Sequence, residues 1–251
     1  MIILNINKLT KHFGALAAVQ DFSCNVNKGE CHALIGPNGA GKTTMFNMIA
    51  GLFEPTTGEI IFNGENIAGL KPHVIAKKGI ARTFQVHALF NSMSVLDNMV
   101  SAFFLKSSSR FLDMLLHTPH ARAEDKRILQ KSMEALDAMG LSDIREMPAK
   151  GLGHVARGKL GLAMALATEP QLLLLDEPVS GMTERETEEI LNLIRRIINN
   201  GITVILVEHN MKAVTAIADR ITVLNFGSKI AEGSPDEIKS NKEVIKAYLG
   251  E

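Results

Sequence analysis

The sequence has little of several features that would identify other classes of protein. Its 251 residues include only two cysteines, Cys24 and Cys31, and 27 basic residues balance 27 acidic ones, so the formal net charge is zero. No cluster of cysteine and histidine indicates a metal site. We expect two buried thiols of a reducing cytoplasm, with a disulfide as the alternative. The absence of net charge argues against a general nucleic-acid binder.

Long hydrophobic runs are also absent. The longest mainly apolar segments are residues 160–167, 172–175 and 202–207, all far shorter than the roughly 18–20 residues that span a membrane. The first residues carry no basic stretch ahead of a long apolar one, so we expect no signal peptide. The length suits one large domain, or a core domain with one insertion, on the cytoplasmic side.

The first 65 residues predict antiparallel strands. Residues 2–6 and 22–27 alternate apolar and polar side chains, and residues 58–62 do so before Asn63-Gly64, a hairpin turn signal. Residues 30–35 lead into a glycine-rich turn that a helix-compatible run, residues 43–50, follows. These strands therefore lie beside a strand–loop–helix unit.

The middle of the chain, from about residue 91 to 167, has mainly helical spacing. Thr118-Pro119 predicts a helix start, with threonine as N-cap and proline at the first helical position. Gly140 would end that helix. Its apolar face would bury Ile128, Leu129, Leu136 and Met139.

The last third alternates strand and helix. Residues 172–175 and 202–207 read as buried strands of a parallel sheet. Between them, Thr183 and Glu186 form a capping box ahead of an amphipathic helix that Asn200-Gly201 ends. This alternation predicts an α/β fold with helices on both faces of the sheet.

The strongest functional signal is a phosphate-binding motif, G-x-x-x-x-G-K-[ST], between a predicted strand and a predicted helix. Its glycines let backbone N–H groups surround phosphate oxygens at a helix N-terminus. Lys42 would bridge the β- and γ-phosphates, and the Thr43 hydroxyl would bind Mg²⁺. The motif consists of Gly36, Pro37, Asn38, Gly39, Ala40, Gly41, Lys42, Thr43 and Thr44.

The second signal is the pair Asp176-Glu177 after the apolar run 172–175. A strand that ends here would bring both acids to the carboxyl edge of the sheet, beside the phosphate loop. We expect Asp176 to hold Mg²⁺, directly or through water. Glu177 would act as the general base for the water that attacks the γ-phosphate. Solvated acids at a strand end are the alternative.

His209 follows strand 202–207 at the same edge, where it could contact the γ-phosphate and orient the attacking water. A structural histidine is the alternative. Gln85, in Ala81-Arg82-Thr83-Phe84-Gln85, lies where the first part of the chain leads into the helical part. By itself it is an ordinary surface residue.

Taken together, these motifs resemble the ATP-binding subunits of ABC transporters over essentially the whole chain. Their order matches the Walker A motif, Q-loop, helical insert, Walker B motif and switch histidine of that family. The resemblance implies that Gln85, as well as Thr43 and Asp176, contacts Mg²⁺, and that Gln85 and His209 take part in catalysis. It also implies that Phe13 stacks on adenine, with a core aromatic as the alternative.

The implied fold is a P-loop ATPase core with a parallel sheet, an N-terminal antiparallel β subdomain and an inserted helical subdomain. The whole chain, residues 1–251, would be one ABC ATPase domain. Residues 1–85 and 166–251 would form the nucleotide-binding core, and residues 86–165 the helical subdomain.

Within this family the sequence is most similar to the ATPases of branched-chain (hydrophobic) amino acid importers. Markers include Ala81-Arg82-Thr83-Phe84-Gln85, Ala167-Thr168-Glu169-Pro170, Ser180-Gly181-Met182-Thr183 and Ala247-Tyr248-Leu249-Gly250-Glu251. ATPases for urea uptake and lipopolysaccharide export are similar, so the substrate class stays open.

Two motifs depart from the family pattern. Leu152-Gly153-His154-Val155-Ala156 stands where the family has Leu-Ser-Gly-Gly-Gln, the signature that clamps the γ-phosphate bound to a partner subunit. Gly153 brings no hydroxyl, and Val155 puts a β-branched side chain where backbone should approach phosphate. In addition, Thr183 replaces the D-loop aspartate.

The resemblance implies an ATPase that powers an importer as a peripheral protein on the cytoplasmic face of the membrane. Its cofactors would be ATP and Mg²⁺. Its partners would be permease subunits, a second ABC ATPase and, indirectly, an external substrate-binding protein, without nucleic acid. The altered signature favours a heterodimer. We also expect residues after Gln85, namely Phe90, Met93 and Val95, to dock a permease helix, with core packing as the alternative.

Three other functions remain as alternatives. A soluble ABC ATPase of translation or DNA repair usually has two cassettes or a long coiled coil. A regulatory subunit would bind ATP with little turnover, which fits the altered signature but not the intact Glu177 and His209. A P-loop small-molecule kinase would lack the helical insert and the Gln85–His209 pair.

Overall fold

The computed structural model describes residues 1–83, 89–104 and 118–249. Contacts divide the chain into two compact units. One consists of Met1–Arg82, Pro170–Ser180 and Thr187–Glu251, and the other of Thr83–Glu169 and Gly181–Glu186. Among the described helices, none has both the length and the hydropathy that crossing a membrane requires.

The first unit begins with an antiparallel sheet of four strands in the order β2-β1-β4-β5. The positive φ angles of Asn63 (49°) and Gly64 (82°) form the predicted turn between the last two strands. The first two strands are longer than predicted, because register shifts interrupt the alternation on which the prediction relied. The strands are β1 (Ile2–Phe13), β2 (Leu16–Asn27), β4 (Thr57–Phe62) and β5 (Glu65–Asn66).

The same unit contains a second sheet of six strands, in the order β10-β9-β3-β8-β7-β6. Neighbours from β9 to β6 are parallel, and β10 is antiparallel to β9. The parallel strands therefore end at one common edge. The strands are β3 (Cys31–Ile35), β6 (Ile80–Arg82), β7 (Leu172–Asp176), β8 (Thr203–Val207), β9 (Arg220–Asn225) and β10 (Ser228–Gly233). Every residue of β7 and β8 is buried, as predicted for inner strands.

Apolar clusters cover both faces of the six-stranded sheet. Leu34 packs in the cluster shared with the antiparallel sheet, whereas its neighbours Ala33 and Ile35 point into a cluster on the opposite face. The helices of this unit are α1 (Lys42–Ile49), α2 (Pro72–Lys77), α7 (Met211–Ile217), α8 (Pro235–Ser240) and α9 (Lys242–Leu249). Cys24 and Cys31 are buried free thiols, as predicted.

The described part of the second unit contains α3 (Val95–Phe104), α4 (Pro119–Ala138) and α5 (His154–Leu166). Helix α4 starts at Pro119, and Gly140 follows its end with a φ of 66°, as predicted. Leu129 was predicted to be buried, but 43% of it is exposed. Among the residues of α4 whose burial the structure describes, the buried ones are Glu124, Ile128, Ser132 and Leu136. This four-residue spacing places Leu129 about 100° around the helix from the buried face.

Helix α6 (Glu184–Asn199) begins with residues of the second unit and continues, from Thr187, with residues of the first. The predicted capping box is present, because the backbone N–H and the hydroxyl of Thr183 donate to Glu186 Oε2 at 2.9 and 2.8 Å. The Glu186 N–H points back to Thr183 Oγ1 at 3.4 Å. The apolar side of this predicted amphipathic helix is buried at Ile190, Leu191, Leu193, Ile194 and Ile197.

Candidate functional site

The phosphate-binding motif forms the loop between β3 and α1, and two of its glycines leave no room for a side chain. A Cβ atom on Gly36 (φ 152°) would lie 2.1 Å from the carbonyl oxygen of Leu224. A Cβ atom on Gly41 (φ 103°) would lie 2.4 Å from that of Ala18. Glycine is therefore required at both positions. The loop then enters α1 at Lys42, which orients the first N–H groups of that helix toward the loop.

Lys42 folds back on its own loop. Its ammonium donates to the carbonyl oxygens of Gly36 at 2.7 Å and Pro37 at 2.9 Å. Burial lowers the pKa of Lys42, and the negative charges of Glu177 and Asp176 oppose that shift. The cation is thus held beside the loop, within electrostatic reach of both acids.

Asp176 is the last residue of β7, at the sheet edge that carries the phosphate loop. Its side chain is only 3% exposed and pairs with Arg82, whose Nη2 lies 2.8 Å from Asp176 Oδ2. Arg82 ends the neighbouring strand β6. The predicted position of Asp176 is therefore confirmed, whereas its arginine partner was not foreseen.

Glu177 and His209 lie close together after the ends of β7 and β8. Glu177 Oε1 is 3.7 Å from His209 Nδ1, and both side chains are partly exposed. Glu177 adopts a left-handed backbone conformation with a φ of 49°. Such a conformation is strained for a residue with a side chain, and such strain is concentrated at functional sites.

The carboxylate of Glu208 stabilises the backbone that follows β7 and β8. It is 1% exposed, and its carboxylate accepts hydrogen bonds from the backbone N–H groups of Val179 (3.2 Å), His209 (3.0 Å) and Asn210 (3.3 Å). The residues after β7 and after β8 are thereby tied to one buried acid. Sequence reasoning missed Glu208, although its place directly before His209 after a buried strand was a signal.

A cleft of about 430 Å³ opens at the phosphate loop. Phe13 is 43% exposed on one side of it, so the core alternative for this residue is wrong. Its ring packs edge-on against Phe53 with centroids 5.3 Å apart, and Lys11 Nζ lies 5.1 Å from its centre. The cleft is lined by Phe13, Leu16, Ala17, Ala18, Asn38, Gly39, Ala40, Gly41, Lys42, Thr43, Thr44, Glu177 and Phe226.

The C-terminal helix α9 also reaches the phosphate loop. Val244 is buried in the cluster that contains Ala33 and Ile35 of β3. Burial raises the pKa of Tyr248, and a hydrogen bond with the Gly36 backbone opposes that shift. The sequence did not suggest this contact, because it joins residues more than 200 positions apart.

In the second unit, residues 152–156 lie at the start of α5. Leu152 is buried, and Gly153 is the N-cap, with no side-chain hydrogen bond to the helix. Arg157 Nε donates to the carbonyl oxygen of Leu152 at 3.2 Å, which fixes the approach to the helix. The segment predicted to be the altered signature therefore lies at a helix N-terminus that lacks a capping hydroxyl.

The three residues proposed to dock a permease helix differ in exposure. Phe90 and Met93 are 52% and 41% exposed. Val95 is fully buried in the core of the second unit, so the prediction for Val95 is wrong. It is the first residue of α3, and its helical position directs it toward Met99 and Ala102. Gln85 lies outside the described residues.

A family model described as ABC transporter matches residues 19–180, and a second, described as branched-chain amino acid ATP-binding cassette transporter, matches residues 228–251. This chain belongs to the ABC transporter family. The range 19–180 includes both the loop 36–44, predicted to be the Walker A motif, and the strand that ends at Asp176, predicted to be the Walker B strand. The ATP-binding cassette fold binds nucleotide.

The curated relatives cover nearly the whole chain. One is the high-affinity branched-chain amino acid transport ATP-binding protein BraF of Pseudomonas aeruginosa, 39% identical over 99% of this chain and 98% of the relative. Another is LivG of Escherichia coli, of the same description, 38% identical with the same coverage. A crystal structure of a nucleotide-free ATP-binding cassette from an ABC transporter has a TM-score of 0.88, 30% identity and full coverage of both chains.

A smaller cavity, of about 130 Å³, lies within the helical unit of this ABC family member. Its lining includes Phe103, Glu124 and Lys131 but no glycine-rich loop. Among the described residues, no group of three or more histidine, cysteine or acidic side chains forms a preassembled metal site. The Walker A cleft is therefore the better candidate for the reaction site.

Proposed function

We propose that this chain is the ATP-hydrolysing subunit of an ABC importer for branched-chain or other hydrophobic amino acids. The observation that carries the proposal is the shared cleft of Lys42, Thr43 and Glu177, next to the end of the strand that holds Asp176. A cation, a hydroxyl and two acids at one phosphate loop are the groups that phosphoryl transfer to water needs. The names of the full-length relatives support the substrate class.

The nucleotide would bind with its phosphates in loop 36–44. Backbone N–H groups at the start of α1 favour negative charge there. The Lys42 ammonium would exchange its two carbonyl contacts for the β- and γ-phosphates. Phe13 would stack on the adenine with the face that Lys11 does not occupy, since a base and an aromatic ring stack through their flat faces.

Mg²⁺ fits the side chains at the phosphate loop. The Thr43 hydroxyl and the Asp176 carboxylate are hard oxygen donors, which this ion prefers, and it usually keeps several waters besides one or two carboxylates and the substrate phosphates. We infer that Thr43, Asp176 and Gln85 hold it, directly or through water. Bound Mg²⁺ would neutralise charge on the β- and γ-phosphates.

Glu177 would take the proton from the attacking water, and His209 would orient that water against the γ-phosphate. The partly exposed Glu177 carboxylate can contact solvent in the cleft, which a base for water needs. The 3.7 Å separation from His209 Nδ1 allows both side chains to face the same water. Glu208 keeps the two backbone segments in place.

As an ABC ATPase, the chain would work as one domain, peripheral on the cytoplasmic face of the membrane. The nucleotide-binding core would be residues 1–85 and 166–251, and residues 86–165 the helical subdomain that contacts the permease subunits. An external substrate-binding protein would deliver the transported molecule, and a second ABC ATPase would complete the dimer. Nucleic acid has no place in this scheme.

Co-purification with permease subunits tests the proposal. We expect the chain to co-purify with a pair of branched-chain amino acid permeases, and the complex to hydrolyse ATP. The Glu177→Gln variant should form the same complex with hydrolysis reduced by about 10²-fold or more, because general-base catalysis contributes at least that much. Equal hydrolysis by the parent and Glu177→Gln complexes would contradict the proposal.

A regulatory subunit is the second candidate, because Gly153 leaves the start of α5 without a hydroxyl. Such a subunit would bind ATP and co-purify in the same way, but Glu177→Gln would not change the turnover of the complex. If urea instead of amino acids stimulates ATP hydrolysis, or if hydrolysis is coupled to a lipid exporter, the substrate class is a different one.

A further inference from the structure

Arg82 joins the Walker B strand to the Walker A helix. Its Nη2 lies 2.8 Å from Asp176 Oδ2, and its Nη1 donates to Asn47 Oδ1 at 2.6 Å. The guanidinium also lies over the ring of Phe46, with Cζ 5.8 Å from the ring centre. Phe46 and Asn47 belong to α1, the helix that begins with Lys42 and Thr43.

This ion pair is buried. The side chain of Arg82 is 12% exposed and that of Asp176 is 3% exposed, and Arg82 Nε is buried without a hydrogen-bond partner. Among the described residues, Arg82 is the one cation within ion-pair distance of Asp176. Burying two charges costs desolvation energy, and apolar side chains of similar volume often stabilise a protein as well. Stability alone therefore does not account for an arginine here.

Arg82 binds one of the two carboxylate oxygens of Asp176. Arg82 contacts Oδ2, and its planar guanidinium is fixed on two further sides by Asn47 and Phe46. A carboxylate held through one oxygen cannot rotate freely about its last bond. This restricts the direction of its second oxygen, Oδ1, and the same guanidinium ties the carboxylate to Asn47 of α1.

We propose that Arg82 is a positioning residue for the magnesium site, which holds Oδ2 of Asp176 so that Oδ1 serves Mg²⁺ or one of its waters. This role rests on the proposed function, since it assumes that Asp176 and Thr43 receive Mg²⁺ with the nucleotide. In this role Arg82 would act through Asp176 and would contact neither the ion nor the phosphates. Groups that orient a metal ligand in this way typically contribute about 10–100-fold to metal affinity.

The test is equilibrium binding of ATP to the purified full chain as Mg²⁺ is titrated, with an EDTA sample as the metal-free reference. Arg82→Ala should raise the Mg²⁺ concentration for half-maximal binding about 10–100-fold, with little change in metal-free ATP binding. Arg82→Lys should fall between the parent and Arg82→Ala, because lysine keeps the charge but cannot bridge Asn47 and Asp176 together. Asn47→Ala leaves the ion pair in place and should shift the Mg²⁺ requirement in the same direction, to a smaller extent.

Arg220 provides the matched control. It also bridges two acids, Glu30 at 2.8 Å and Glu232 at 3.0 Å, but it starts β9, and its backbone pairs with His32 near the opposite end of β3. Arg220→Ala should lower the melting temperature and leave the Mg²⁺ requirement unchanged. A merely structural role for Arg82 would give the same pattern as this control.

An unchanged or lower Mg²⁺ requirement in Arg82→Lys and Asn47→Ala would overturn the assignment, even if Arg82→Ala fails to fold. A lower requirement would mean that Arg82 competes with the ion. If the parent chain itself binds ATP without any response to Mg²⁺, the magnesium site of the proposed function fails, and the role of Arg82 fails with it. If the parent chain responds to Mg²⁺ and the variants have the same Mg²⁺ requirement as the parent, only the role of Arg82 is overturned.

Discussion

The acids at the carboxyl edge of the six-stranded sheet are held in three different ways. Arg82 pairs with Asp176, and three backbone N–H groups bind Glu208. Glu177 has neither arrangement, and its Oε1 lies 3.7 Å from Nδ1 of the half-exposed His209. The Glu177 carboxylate is therefore free to contact a water molecule, whereas the carboxylates of Asp176 and Glu208 are held in fixed positions.

A second group of buried titratable side chains lies away from the cleft, between β2, β3 and β9. His32 is 2% exposed, with Nδ1 3.0 Å from Glu30 Oε1 and Nε2 2.9 Å from Thr222 Oγ1. Burial lowers the pKa of His32, but its contacts with Cys24 and Glu30 outweigh burial and raise the pKa from 6.5 to about 9. For Glu30, burial raises the pKa, but hydrogen bonds with His32, Arg220 and Asn27 bring it from 4.5 to about 2.

These shifts predict how stability depends on pH. The pKa of His32 is higher in the folded chain than in the unfolded one, so its contribution is fully present below pH 6.5 and is lost as the pH rises toward 9. Glu30 contributes above pH 4.5 and loses its contribution only as the pH falls toward 2. The melting temperature of the parent should therefore decrease between pH 6.5 and 9, and the melting temperature of His32→Gln should decrease less over that interval. An equal decrease in parent and variant would rule out His32 as the cause.

At the scale of elements, the segment just before α3 carries two exposed apolar side chains, Phe90 and Met93, on a backbone that hydrogen bonds hold in place. Asn98, which is fully buried, accepts a hydrogen bond from the Phe90 N–H at 2.9 Å and donates to the Phe90 carbonyl oxygen at 3.2 Å. The backbone that carries the exposed Phe90 side chain is therefore held in place, and Met93 follows three residues later. Rigid, exposed apolar residues suit contact with a partner helix.

The docking prediction now concerns Phe90 and Met93. The double variant Phe90→Ser, Met93→Ser should keep the stability of the isolated chain within about 0.5 kcal/mol, as is usual for surface positions. In the complex with permeases, it should reduce the response of ATP hydrolysis to the transported substrate. The control, Val95→Ser, should destabilise the isolated chain by roughly 2 kcal/mol or more, because it removes a buried apolar side chain. Unfolding of the double variant would place both residues in the core.

The sequence predicted those elements whose signals are local. Glycines around Lys42 and an apolar run before Asp176 specify a loop and a buried strand over a few residues, so both could be located. Strand β6 is only three residues long, too short for a periodic pattern. The pairing of Arg82 with Asp176 and the contact of Tyr248 with Gly36 join distant parts of the chain, which no local pattern encodes. Leu129 was misplaced because apolar character alone did not reveal the buried face of α4.

At the scale of the whole molecule, the phosphate loop and the signature segment differ in completeness. The residues predicted to form the Walker A and Walker B motifs are all present, whereas Gly153 and Val155 at the start of α5 lack the groups with which the family signature would clamp a phosphate. In a homodimer, both sites would contain this altered segment. In a heterodimer, the intact loop could face an intact signature of a different subunit. We therefore expect a heterodimer with one fast and one slow site.

Restoring the signature tests this asymmetry. The triple variant Gly153→Ser, Val155→Gly, Ala156→Gln should raise the ATP turnover of the isolated chain, since one lost oxyanion-type donor typically costs about 10²–10³ in rate. A Cβ atom added at Gly153 would meet no atom within 4 Å, so there is room for serine there. Gly161→Ser, which adds a hydroxyl further along α5 where a side chain is equally unobstructed, is the control and should leave turnover unchanged. Fast, cooperative hydrolysis by the unaltered isolated chain would contradict the asymmetric model.

The central claim is that loop 36–44 is an ATP site whose binding and catalytic groups are separate. The most direct test is to measure equilibrium binding of ATP with Mg²⁺ to the isolated chain and to two variants. Lys42→Ala should abolish tight binding, because it removes the cation that the phosphates would contact. Glu177→Gln should bind like the parent, since Glu177 acts on water and not on the resting nucleotide. Equal binding by Lys42→Ala and the parent would contradict the account.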